Sequence, residues 1–103
     1  MSDVLKRIKQ ACLSGSYAFS EKARLEMESD DLTESDVIES IVEAGMIRKT
    51  LRSTSLLRWA LRERLYVIVH RNFAGTCVYS KGKLVRDEAD EVYYFLISSK
   101  RAY

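Results

Sequence analysis

Hydrophobic positions recur with a period near four through the first 45 residues and lose that period afterwards. In "DVLKRIKQACL", residues 3–13, Val4, Leu5, Ile8, Ala11 and Cys12 fall on one stripe, while Lys6, Lys9 and Gln10 occupy the rest, the pattern of a short amphipathic helix. "SGS" at 14–16 ends it, with Gly15 suited to a left-handed cap. Ser20 reads as the N-cap of a second helix that carries acids in its first turns, sets Phe19, Ala23 and Met27 four apart on one face, and closes at "SDD". Thr33 followed by Asp36 has nearly the form of a capping box, and Val37, Ile38, Ile41 and Val42 supply the stripe of a third helix ending at Gly45.

Beyond Gly45 the runs "MIRKTLR", "LLRWALR", "LYVIVHR", "TCVYSK", "KLVRD" and "VYYFLISS" are β-branched and aromatic. Four or five of them are expected as strands, with "RNFAG" and "KG" as turns that make neighbours antiparallel. "LYVIVHR" sets Leu65, Val67 and Val69 against Tyr66, Ile68 and His70, and "VYYFLISS" sets Val92, Tyr94 and Leu96 against Tyr93, Phe95 and Ile97. Both are apolar on both faces, as central strands covered at least in part on each side are. At the end of the chain, "VYYFLIS" is expected as a buried strand and "SKRAY" as its exposed end. The expectation is a single domain over residues 1–103 of the α+β class, with N-terminal helices packed on a C-terminal antiparallel sheet.

Charge changes this picture more than overall composition does. The net charge is only +2, but residues 18–44 hold nine acids (Glu21, Glu26, Glu28, Asp30, Asp31, Glu34, Asp36, Glu39, Glu43) against Lys22 and Arg24. Residues 48–71 reverse the balance, with Arg48, Lys49, Arg52, Arg58, Arg62, Arg64 and Arg71 against Glu63 alone. Two readings stay open: the segments neutralise each other across the fold, or the molecule is a dipole whose basic side meets a polyanion. Cys12 and Cys77 have no second Cys or His at zinc-ligand spacing, so both are expected as buried thiols and no structural metal is expected. No apolar run reaches membrane-spanning length, and "MSDVLKRIKQ" lacks the apolar stretch of a signal peptide; a soluble, cytoplasmic protein is expected.

No phosphate loop, dinucleotide fingerprint, nucleophile elbow or EF-hand spacing occurs. His70 is the only histidine, and reads either as a structural residue at a strand end or as a general acid or base. What remains is a basic sheet bearing aromatics: Arg58 and Trp59, Tyr66, His70 and Arg71, Phe73, Tyr79 and Lys81, Lys100 and Arg101. Lysine and arginine neutralise phosphates, and exposed aromatic rings stack on unpaired bases.

The stretch "YAFSEKARLEMESDDLTESDVIESIVEAGMI" resembles a group of small bacterial proteins that read approximately Y-x-x-S-x-H-A-x-x-R-M, followed by an acidic capped helix ending in Gly and then a sheet. These are similar to the MqsR- and RelE-like toxins of toxin–antitoxin pairs. The resemblance covers roughly residues 17–80 and its motif is loose. Ser20, Ala23 and Met27 match, whereas Lys22 stands where the group has His and Glu26 where it has Arg. It implies a RelE-like fold and a metal-independent endoribonuclease, or a relative that binds RNA without cutting it, with RNA and a cognate antitoxin protein as partners and no cofactor. In that frame His70 or Tyr79 moves protons, Arg71, Lys81, Lys100 and Arg101 contact phosphate, and Arg48, Lys49 and Arg58 extend the RNA-binding surface. The alternative is a non-enzymatic protein-interaction module of the same fold. A duplex-DNA binder ranks lower because no helix is basic enough to serve as a recognition helix.

Overall fold

The computed structural model describes residues 2–52 and 63–103. Among them, three helices, α1 (Asp3–Leu13), α2 (Glu21–Ser29) and α3 (Glu34–Glu43), accompany five strands, β1 (Tyr17–Phe19), β2 (Lys49–Arg52), β3 (Arg64–Arg71), β4 (Cys77–Arg86) and β5 (Val92–Arg101). This is an α+β fold, with helices grouped toward the N-terminus and most of the sheet toward the C-terminus. The expected strand "LLRWALR", and with it Arg58 and Trp59, lies outside the described residues.

Each helix starts where a hydroxyl can satisfy an otherwise orphaned amide. Ser2 accepts from the Leu5 amide at 3.2 Å, and Ser20 from that of Ala23 at 3.0 Å. Thr33 and Asp36 complete a reciprocal capping box, with bonds of 3.1 and 2.8 Å. Gly15 takes up the left-handed conformation after α1, at φ 77°. Leu5, Ile8, Ala11 and Cys12 of α1, Ala23 and Met27 of α2, and Val37 and Ile41 of α3 are buried against Ile68, Val78, Tyr94 and Leu96 of the sheet. Ile38 and Val42 are half-buried at the margin of this core.

The sheet order is β1-β5-β4-β3-β2, so β3 and β5 are interior strands, as their two-sided apolar pattern implies. Two features correct the expected antiparallel sheet. Tyr17–Phe19, which the spacing assigns to the approach of a helix, forms an edge strand parallel to β5, with Phe19 opposite Leu96, so the sheet is mixed. Phe19 still reaches the core at four residues from Ala23, but from a strand. The second correction concerns "KG": Lys81–Gly82 is not a turn but lies within the continuous ten-residue strand β4.

At that point the β4–β5 register slips. Lys81 pairs with Ser98 but Gly82 with Leu96, which leaves Ile97 as the extra residue of a β-bulge. A bulge re-aims the side chains that follow it. Before it, Tyr94 and Leu96 face the helices; after it, Ser99 and Arg101 share a face with Ser80 and Val78, and Lys100 pairs with Tyr79 on the opposite face. Gly82 makes the arrangement sterically feasible, because a Cβ there would lie 2.6 Å from Cζ of Tyr94 and 2.8 Å from the Phe95 carbonyl oxygen.

Candidate nucleic-acid interface

Cross-strand pairs share a face of the sheet. Val69, Tyr79 and Lys100 therefore form one row on the face away from the core, and Lys49, Val67, Lys81 and Ser98 form the next. This face holds an open groove of about 770 Å³. Among the described residues its floor is Leu51, Val67, Val69 and Cys77, and its walls are Arg48, Lys49, Tyr79, Lys100, Arg101, Ala102 and Tyr103. Three cations, Arg48, Lys49 and Lys100, and two tyrosines thus surround it, with Arg101 reaching only its end from the helix-side face of β5, and no Asp or Glu lines it among the described residues. Lys100 Nζ sits 5.3 Å from the centroid of the Tyr79 ring, a cation–π contact that fixes the ammonium over the groove wall. The Arg101 guanidinium is oriented from the other side, its Nε donating to the Asp30 carbonyl at 2.9 Å.

Of the candidates read from the sequence, the groove brings together Arg48, Lys49, Tyr79, Lys100 and Arg101. Lys81 faces the same way but is half-buried between Val67 and Ser98, outside the groove wall. Arg71 alternates onto the same face, yet its Nη1 donates to the Gly75 carbonyl at 2.7 Å and so braces the β3–β4 turn. His70 pairs with Val78 and so lies on the opposite face from Tyr79. Its Nδ1 is 2.8 Å from the Arg71 carbonyl, an acceptor only, so that nitrogen carries the proton. The sheet therefore separates His70 from Tyr79 instead of pairing them. Arg58 lies outside the described residues.

The thiols also divide. Cys12 is buried in the core, and burial pushes its pKa up from 9.0 to about 12. Cys77, expected to be buried as well, is half-exposed in the groove floor. A thiol reagent applied to the native protein at pH 8 is therefore expected to modify Cys77 and to reach Cys12 only after unfolding. An occupant of the groove should shield Cys77. The same burial has a linkage consequence. In the unfolded chain Cys12 ionises around its ordinary 9.0, whereas in the native state it stays protonated to about 12, so its contribution to stability is intact below pH 9 and is lost as the pH rises through that interval. Tyr94, raised by burial and then by the neighbouring Cys12 and Tyr66, acts in the same direction.

Two residues with a part in this site were not recognisable from the sequence as such. Glu26 and Asp30, which the sequence places only among the nine acids of residues 18–44, bond to the end of β5: Glu26 Oε1 accepts from Ser98 Oγ at 2.7 Å and from the Ser99 amide at 3.2 Å, and Asp30 Oδ2 accepts from the Arg101 amide at 2.8 Å. Their spacing of one helical turn was the only available signal. Among the described residues no group of three or more His, Cys, Asp or Glu side chains is placed to hold a metal ion, and no helix is long and apolar enough to cross a membrane. No family model, curated protein or solved structure matches the chain.

Proposed function

We propose that the protein binds single-stranded RNA in the groove between β2 and the end of β5, as a toxin-like RNA-binding protein. The observation that carries this reading is the convergence of three cations, Arg48, Lys49 and Lys100, and two tyrosine rings on one open groove with no carboxylate side chain in its wall among the described residues. Lysine and arginine side chains neutralise phosphates, and an open, ring-lined groove suits unpaired bases better than a closed duplex. Of the two proton-transfer candidates only Tyr79 faces the groove, so any cleavage of the bound strand would be centred on Tyr79 and the Lys100 ammonium beside it, and not on His70.

Fluorescence anisotropy with a labelled single-stranded RNA of mixed sequence tests the reading. If Arg48, Lys49 and Lys100 each meet a phosphate, the logarithm of the association constant should fall with the logarithm of salt concentration at a slope of about −2. The His70→Ala protein should bind as the wild type does. A salt-independent or absent interaction at low ionic strength would remove the proposal and leave the protein-interaction module as the better account of the fold.

A further inference from the structure

β1 covers β5 only at Tyr94, Phe95 and Leu96. Beyond that point the outer edge of β5 has no neighbouring strand among the described residues, and unpaired edge amides are costly to bury and prone to mispairing. Helix α2 takes the place of the missing strand. Ser20, its N-cap, accepts from Ala23 and donates its hydroxyl to the Ile97 carbonyl at 3.0 Å, and the Ser20 amide donates to the Leu96 carbonyl at 2.8 Å. Further along, Glu26 accepts from Ser99 and Asp30 from Arg101. The match is geometric: residues four apart on a helix rise about 6 Å, and amides two apart on one edge of a strand are about 6.8 Å apart. Two carboxylates at i and i+4 can therefore serve two successive edge amides. Asp30, the C-cap of α2, adds its free backbone carbonyl to Nε of Arg101.

We infer that Glu26 and Asp30 are positioning residues for the groove: through Ser98, Ser99 and the Arg101 backbone they hold β5 in its post-bulge register, and so set Lys100 in the groove wall. This rests on the proposed RNA reading. It gives a task to one of the chain's departures from the toxin-like motif, because Glu26 can accept from Ser98 and Ser99 where an arginine could not. Lys100, which lies beside Glu26 and Asp30 on the other side, makes no ion pair with either among the described residues and keeps its charge available to a ligand.

The sign of one measurement separates positioning from plain electrostatics. Glu26→Ala and Glu26→Gln both remove a negative charge near a site for a polyanion, and by charge alone both should tighten RNA binding equally. Positioning requires instead that Glu26→Ala weaken binding and lower the salt slope by about 0.7, equivalent to about a five-fold loss at 0.1 M salt for one forfeited phosphate contact. Glu26→Gln, which keeps an acceptor oxygen, should bind nearly as the wild type does. Asp30→Ala, at the helix end, provides a second variant should Glu26→Ala fold poorly, and Glu28→Gln, an exposed acid on the same helix, controls for charge. Amide exchange read in the absence of RNA should show Ser99 and Arg101 losing protection in the alanine variants. Unchanged exchange, or equal tightening by Glu26→Ala and Glu26→Gln, would overturn the inference while leaving RNA binding intact. A wild-type protein that fails to bind would overturn the RNA reading, and the positioning role with it.

Discussion

Gly82→Ala is expected to lower the melting temperature by roughly 10–20 °C, the shift that about 2–3 kcal/mol produces in a domain near 100 residues. The new methyl would meet three atoms at once: Cζ of Tyr94 at 2.6 Å, Oη of Tyr94 at 2.8 Å and the Phe95 carbonyl oxygen at 2.8 Å. A flexible side-chain tip could swing clear of such contacts, but none of these atoms is one. Tyr94 is wholly buried in a core of the kind that packs with little free space, and the Phe95 oxygen belongs to the backbone of an interior strand. Introducing Gly82→Ala into a Tyr94→Phe background should therefore recover only a minor part of the loss, because the phenol oxygen goes while the ring carbon and the carbonyl stay. Thermal denaturation of the two single variants and the double variant checks this. A Gly82→Ala protein that melts within two or three degrees of the wild type would mean that the strand pair accommodates a Cβ and that the glycine is not what permits the close approach.

This glycine also shows where the sequence stops being legible. Periodicity and capping chemistry are local, and they locate α1, the start of α2, and α3 with its capping box, because a helix satisfies its hydrogen bonds within a few residues. The two-sided apolar pattern likewise marks β3 and β5 as interior strands. What depends on residues far apart in the chain is hidden. "KG" has the look of a turn because glycine is usually a turn residue, and only the Tyr94 ring twelve residues away shows that Gly82 is needed for a close approach inside a strand. Tyr17–Phe19 is too short to show alternation, and its identity as a strand comes entirely from pairing with residues 94–96. The groove is legible in part. The cations and Tyr79 can be named from composition, but whether His70 joins them depends on strand parity, and whether Lys100 does depends on the bulge at Ile97. The acids that secure β5 look like an ordinary solvated helix surface until their partners, more than seventy residues later in the chain, are known.

Reversing two charges in the groove should have the largest effect on binding. Lys49 stands on β2 and Lys100 on β5, with β3 and β4 between them, so a strand of RNA lying across the groove would meet both. Neutralising two phosphate contacts is worth about 25-fold at 0.1 M salt, and replacing each ammonium by a carboxylate adds repulsion, so Lys49→Glu with Lys100→Glu should weaken binding on the order of 10²-fold. Both lysines are exposed. The energetic cost to the fold is the cation–π contact of Lys100 with Tyr79, about 0.5–1 kcal/mol, plus the repulsion of a carboxylate at position 100 from the neighbouring Glu26 and Asp30. Melting should therefore shift by several degrees, and binding is compared well below the melting temperature. The matched control is Lys22→Glu. Lys22 is an exposed lysine on α2, away from the groove and at one of the two positions where the chain departs from the toxin-like motif. It changes net charge by the same amount per site, so it removes the contribution of long-range attraction. If the groove is the binding surface, the control should lose no more than the screened, long-range part of the affinity and keep the wild-type salt slope, whereas the double variant should lose about two-thirds of that slope. Equal losses per charge in the control and the groove variant would show that RNA responds to the protein's net charge alone, and that this face is not its site.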